Sequence, residues 1–273
     1  KYETPISADV GNIEVGDTEV ITVNVPDGAS GNVTIEIDGE PYTSEINDGK
    51  AVFKINGLTA GDKTVVVKYG GDNNFTGNFT TAQFSVSKKQ PKIKPSAKNI
   101  KAGKDEIITV EVPSDATGRV LVKVNGVGYY GDVINGKAKV VIPGLSGGDY
   151  TAEVFYEGDD KYLPSDVAYV KFTVAKSTVP ISAKGDMEVS GDDASVVVKL
   201  PKDATGTVTI TVDGKTYSAE VIDGEARFDI PGLDVGSHIV YVHYSGDAKY
   251  DANDRHRVKT VYEMVIKIYE FQR

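Results

Sequence analysis

The sequence predicts an all-β chain of three β-sandwich domains in tandem, arranged as an extended array. Three observations carry that expectation. The chain repeats itself every 87 or 88 residues, side chains alternate with period 2 inside each repeat, and Asx-Gly pairs recur at matching places.

The repeat decides the architecture. Pro26 to Ile35 (PDGASGNVTI) returns as Pro113 to Val122 (PSDATGRVLV) and again as Pro201 to Ile210 (PKDATGTVTI). The same offsets relate Gly57-Leu58, Gly144-Leu145 and Gly232-Leu233. They also relate Tyr69-Gly70-Gly71-Asp72, Tyr156-Glu157-Gly158-Asp159 and Tyr244-Ser245-Gly246-Asp247. The expected domains are residues 1–89, 90–176 and 177–273, the last with an atypical C-terminal strand.

Inside repeat one, Ile21, Val23 and Val25 alternate with Thr22 and Asn24, and Val33, Ile35 and Ile37 with Thr34 and Glu36. Val65, Val67 and Tyr69 follow, then Phe84 and Val86. Alternation of this kind buries one face of an antiparallel sheet and wets the other. It predicts a core that includes Val23, Ile35, Phe53, Val67 and Phe84. The turns come from Asp38-Gly39, Asn125-Gly126 and Asp213-Gly214, and from Asp48-Gly49, Asn135-Gly136 and Asp223-Gly224. These residue types tolerate the positive φ of tight hairpins. About seven short strands in roughly 90 residues is the pattern of an immunoglobulin-like sandwich.

Proline marks the junctions, in Gln90 to Pro95 and in Ser177 to Pro180, and Pro5 holds the place of Pro180 at the start. Proline suits the first residue of an edge strand, so each junction doubles as the opening strand of the next domain. Such linkers leave little slack, and the expected particle is a monomeric, semi-rigid rod.

Composition narrows the function. There is no cysteine among the 273 residues, which removes disulfide staples, thiolate metal sites and Cys nucleophiles. The net charge is −10. Residues 1–88 carry 6 basic and 13 acidic groups, 89–176 carry 13 and 11, and 177–273 carry 11 and 16. An acidic array does not attract phosphate backbones, so nucleic acid is not an expected partner. Apolar runs are far too short to span a bilayer, so no membrane contact is expected. The chain opens on Lys1 and is read as a piece of a longer protein.

Gly206 to Tyr217 (GTVTITVDGKTY), Ile230 to Leu233 (IPGL) and Tyr244 to Tyr250 (YSGDAKY) resemble the bacterial Ig-like (Big-type) repeats. In wording they are most similar to repeats of adhesin-like surface proteins of methanogenic archaea. The resemblance runs through all three repeats. It implies an extracellular, cell-surface setting and no activity of its own, because fold alone does not give function.

The candidate sites are few. His238 and His243 lie five apart on one predicted strand, facing opposite ways, and His256 stands apart; no metal is expected there. Asp251 to Asp254 (DAND) is calcium-like in composition, but it lies within a repeat and has no counterpart in the other two. The Gly-Asp pair ahead of an aromatic (Asp72 with Phe75, Asp159 with Tyr162, Asp247 with Tyr250) reads as a loop brace. No catalytic set is found, neither paired carboxylates nor Gly-x-Ser-x-Gly, and no cofactor is expected. No Lys, Asn and acid trio recurs for an isopeptide cross-link. Sequons stand at Asn32, Asn74 and Asn78. Tyr129-Tyr130, in a loop-like Gly-rich stretch without counterparts in the other repeats, is the candidate ligand contact.

The leading reading is a non-catalytic stalk or adhesion segment of a surface protein. Its rivals are a carbohydrate- or protein-binding module and an accessory region of an extracellular enzyme. Val258 to Phe271 has two readings: a long terminal strand that pairs edge to edge with another chain, or a longer loop and a frayed end.

Overall fold

The computed structural model describes residues 1–186, 194–233 and 238–253. Every regular element among them is a strand. Domain one holds β1 (Ser7–Asp9), β2 (Ile13–Glu14), β3 (Glu19–Asn24), β4 (Asn32–Ile37), β5 (Glu40–Glu45), β6 (Lys50–Ile55), β7 (Gly61–Tyr69) and β8 (Asn78–Ser87). Its two sheets run β1-β3-β6 and β2-β8-β7-β4-β5. The opening segment is split: β1 pairs antiparallel with β3, and β2 crosses to pair parallel with β8. One segment thereby covers an edge of each sheet. This is the immunoglobulin-like sandwich the repeat predicts, with eight strands because the first is divided.

Domain two repeats the order with β9 (Lys94–Ser96), β10 (Ile100–Lys101), β11 (Glu106–Glu111), β12 (Arg119–Val124), β13 (Val127–Ile134), β14 (Lys137–Ile142), β15 (Gly148–Tyr156) and β16 (Ala168–Ala175). In domain three the described strands are β17 (Ser182–Asp186), β18 (Ala194–Lys199), β19 (Thr207–Val212), β20 (Lys215–Glu220), β21 (Glu225–Ile230) and β22 (Val240–Tyr244). Val258 to Phe271, on which the edge-pairing expectation rests, lies outside the described residues, as does His256.

Each domain has its own core. Val23, Ile35, Phe53, Val67 and Phe84 are all buried, as the alternation predicts. Ile21 stands across from Phe53, and Ile35 across from Val67. Parallel clusters fill domains two and three. Tyr69, Tyr156 and Tyr244 are buried with their hydroxyls donating to the carbonyls of Ser30, Thr117 and Thr205 at 3.0, 2.8 and 2.6 Å. A buried phenol needs such an acceptor.

The turns behave as the Asx-Gly pairs require. Among the described residues, the non-glycine positions with positive φ are Asp38, Asp48, Asn125, Asn135, Asp213 and Asp223, between 47° and 53°. Each is followed by a glycine that is also at positive φ. Two consecutive left-handed residues make the turn whose twist matches the flanking strands.

Domain two extends a pairing that its sisters hold only as single bridges, Asn47 to Lys50 and Ile222 to Glu225. β13 pairs with β12 in one sheet and, at Val133 and Ile134, with β14 in the other. The two sheets thus join into one of eight strands, β10-β16-β15-β12-β13-β14-β11-β9. Gly131 permits this. A Cβ there would lie 2.5 Å from the Lys139 carbonyl oxygen. The counterparts across from Val33 and Val208 are Ser44 and Ala219, which carry that atom.

Candidate functional site: the braced loops and the outer face of domain two

The Gly-Asp loop is a brace in all three domains. Asp159 Oδ1 accepts from the amides of Lys161 and Tyr162, both at 2.8 Å. Its Oδ2 accepts from the Thr117 amide at 2.7 Å and the Thr117 hydroxyl at 3.1 Å, tying two loops together. Asp72 does the same with Asn74, Phe75 and Ser30, and Asp247 with Lys249, Tyr250 and Thr205. Burial pushes the Asp159 carboxyl up, but the amides of Thr117, Lys161 and Tyr162 outweigh it and hold the group down at about 2. Asp247 is lowered by the same balance. Asp72 falls below the ordinary carboxylate range, chiefly through the Phe75 amide. The glycine before each aspartate is forced: at Gly158, φ is +83° and a Cβ would meet the Tyr162 carbonyl oxygen at 2.8 Å.

In domains two and three the loop aromatic is also tied across the loop. Tyr162 donates to Asp115 Oδ1 at 2.7 Å while Lys161 reaches Asp115 Oδ2 at 2.9 Å. Tyr250 and Lys249 hold Asp203 in the same way, at 2.8 and 3.0 Å. Phe75 has no hydroxyl, and it packs instead against Tyr2 with ring centroids 6.1 Å apart. The sequence signal for these clusters was the repeated Lys-Tyr pair with an Asp 46 or 47 residues earlier, which a search for loop braces alone overlooks.

These loops also receive the chain from the preceding domain. Ser87 still belongs to domain one, its carbonyl accepting from the Val15 amide at 2.9 Å. Lys89 already belongs to domain two: its amide donates to Lys161 and its carbonyl accepts from Leu163. Only Lys88 lies between, and its Nζ donates to the Asp159 carbonyl at 2.5 Å. The second junction copies the first. Ala175 accepts from Ala102, Ser177 bonds with Lys249 and Asp251, and Lys176 Nζ donates to the Asp247 carbonyl at 2.6 Å. Gly147 adds a direct backbone bond from domain two to Ala248.

Tyr129 and Tyr130 do not sit in a loop. Both lie in β13, opposite Val122 and Leu121 of β12. The glycines that suggested a loop serve close approach instead: a Cβ at Gly128 would lie 3.1 Å from Leu121 Cδ1. Tyr129 also has counterparts, Tyr42 and Tyr217, at the same register against Ile35 and Ile210. All three are half-buried against their cores. Tyr130 is the one that faces solvent, at 53% exposure, with the Arg119 guanidinium 4.4 Å from its ring centroid. Arg119 is fixed in turn by Glu157 at 2.5 Å.

The sequons are all at exposed positions, Asn32 at the start of β4 and Asn74 in the braced loop. Asn78 differs, because its side-chain nitrogen donates to the Thr4 carbonyl at 2.7 Å. His238 pairs with Asp213 at 2.7 Å, and His243 projects from the outer face of β22. No cluster of three metal-ligating side chains occurs among the described residues.

The family model for the bacterial Ig-like domain (group 3) matches residues 6–87 and 181–261. Those segments make up more than half of the sequence, and the chain belongs to that family. No curated protein matches it. Similar solved structures include the fibronectin(III)-like modules of Clostridium thermocellum CbhA, 17% identical, covering 63% of this chain and 94% of that one at a TM-score of 0.28. Another is SGBP-B of the Bacteroides ovatus mixed-linkage glucan utilization locus, in complex with a mixed-linkage heptasaccharide. It is 19% identical over 91% of this chain and 64% of that one, with a TM-score of 0.25, so the present chain spans less than two thirds of its length. Immunoglobulin domains 1–5 of Sidekick-1 are 13% identical over 88% of this chain and 55% of theirs, at 0.34. Likeness at this level says nothing about what the present chain binds.

Proposed function

We propose that this segment is a non-catalytic spacer of an extracellular, cell-surface protein of adhesin type, holding a binding region away from its anchor. The junctions are the observation that supports it. Each leaves one residue outside the backbone bonds of the two domains it joins, and that residue's lysine side chain is bonded forward. A linker this short transmits position and orientation, which a spacer needs and a flexible tether lacks. The match to the bacterial Ig-like domain family favours the same setting.

Three sandwiches of strand length plus loops amount to about 110 Å end to end. Small-angle scattering from the chain tests this. A radius of gyration near that of a compact 273-residue particle, about 19 Å, overturns it. The second reading, a glycan-binding module, is favoured by one observation, the exposed aromatic on the outer face of domain two.

A further inference from the structure

We infer that the outer face of β12, β13, β15 and β16 in domain two binds a neutral polysaccharide, with Tyr130 as the stacking platform. The face is defined by register. Leu121 stands between Tyr130 of β13 and Phe155 of β15. Tyr169, near the start of β16, pairs with Glu153 on the same side at 63% exposure, and Val167, just ahead of the strand, is exposed as well. An apolar row therefore crosses the strands on the side of the sheet that should be polar.

The sister domains show that the fold does not need it. The positions of Tyr130 and Leu121 are Thr43 and Thr34 in domain one, and Ser218 and Thr209 in domain three. There the two hydroxyls bond to each other across the strands, at 3.3 and 3.0 Å. Phe155 is replaced by Lys68 and His243. One domain of three carries apolar side chains where the same scaffold elsewhere carries hydroxyls, a lysine and a histidine.

The shape and charge of the face select the occupant. Arg119 covers one side of the Tyr130 ring and is itself anchored by Glu157. On the other side along β13 comes Gly128, whose missing side chain lets Leu121 lean against the strand, its Cδ1 3.1 Å from where a Cβ would stand. Charged groups flank the row two residues away along the strands: Arg119, Asp132 and Glu157 on one side, Lys123 and Glu153 on the other. Both signs are present and close to balanced, so the face attracts neither polyanion nor polycation. A protein partner wants a broad core depleted of charge, on the order of 800 Å², and this row is one residue wide. A pyranose chain has the matching chemistry, with C–H faces for an aromatic ring and hydroxyl edges for flanking carboxylates and cations.

Affinity electrophoresis of the whole chain tests the site, with mixed-linkage β-glucan, galactomannan and dextran as neutral probes and polygalacturonate and heparin as charged ones. At least one neutral polysaccharide retards the wild type. Leu121→Thr, Tyr130→Thr and Phe155→Lys together, which install the residues of domain one, weaken that retardation at least tenfold while leaving the melting profile folded. Tyr130→Ala alone gives a smaller loss in the same direction. Retardation by no neutral probe, by charged probes only, or equally for the wild type and the triple variant overturns the inference. So does a wild-type dimer in sedimentation that the triple variant abolishes, which makes a second copy the occupant. A compact scattering particle would defeat the spacer reading and leave this site standing.

Discussion

Phe53 faces Ile21 across the β3–β6 ladder and keeps only 4% of its surface exposed. Phe53→Ala removes a buried ring from a core that collapses poorly around the gap, and the loss should be about 3–5 kcal/mol in denaturant melts. That residue was legible because period-2 alternation marks one face of a strand whatever the tertiary details. The braced aspartates follow another physics. Their pKa values are lowered in the folded chain, so their contribution to stability is present above the unfolded value near 3.8 and lost as pH falls through the folded one, about 2 for Asp159. Stability should hold between pH 5 and 8 and decline between about pH 4 and 2. Asp159→Asn should flatten that decline for domain two, read by the unfolding midpoint of each domain against pH. A wild type whose midpoints do not change below pH 4 would show that the aspartates carry no such load.

At the scale of the strand, the turns were readable and the strand partners were not. Asn or Asp followed by Gly fixes a hairpin because few other residues accept two left-handed positions in a row. How far β13 pairs with β14 turns on Gly131 and on a carbonyl eight residues away, a contact that a loop-like reading of Gly126 to Gly131 conceals. The aromatic face was hidden for a related reason. Tyr129 and Tyr130 drew attention as a pair, yet one packs on the core and the other points out, as neighbours in a strand must. Only the comparison of Leu121, Tyr130 and Phe155 with Thr34, Thr43 and Lys68 isolates what is special to domain two. Gly131→Ala forces apart two backbones now in contact, an overpacking change of about 1–3 kcal/mol. Hydrogen exchange should quicken at Ile134, which pairs with Lys137 of β14, with the melting of domains one and three unaltered. Unchanged exchange there would mean that β13 joins both sheets without needing the glycine.

For the whole molecule, the feature that matters most lies in two residues with no obvious motif. The prolines near the junctions pointed to strand-like linkers, and β9 does begin at Lys94. The tighter constraint comes earlier, where Lys89 and Ser177 join loops more than 70 residues ahead in the chain. Contacts so distant in sequence leave no local pattern, so a reading of the linker alone misses them. They make a direct test of whether domain order is held by the junctions. Inserting Gly-Ser-Gly-Ser after Lys88 leaves every domain's core and loops intact but separates the Ser87 bond from the Lys89 bond. If those bonds hold the modules in line, the wild type scatters as a rod with a radius of gyration of about 30 Å, as a rod about 110 Å long requires. The insertion should then broaden the distribution of end-to-end distances measured between labels in domains one and three, although it lengthens the chain by only four residues. Lys88→Ala is the milder form, removing the Nζ bond to Asp159 while keeping the linker length. It should give an intermediate broadening with no change in the melting of either domain. Identical distance distributions for all three chains would show that the one-residue linkers do not set the alignment of the domains.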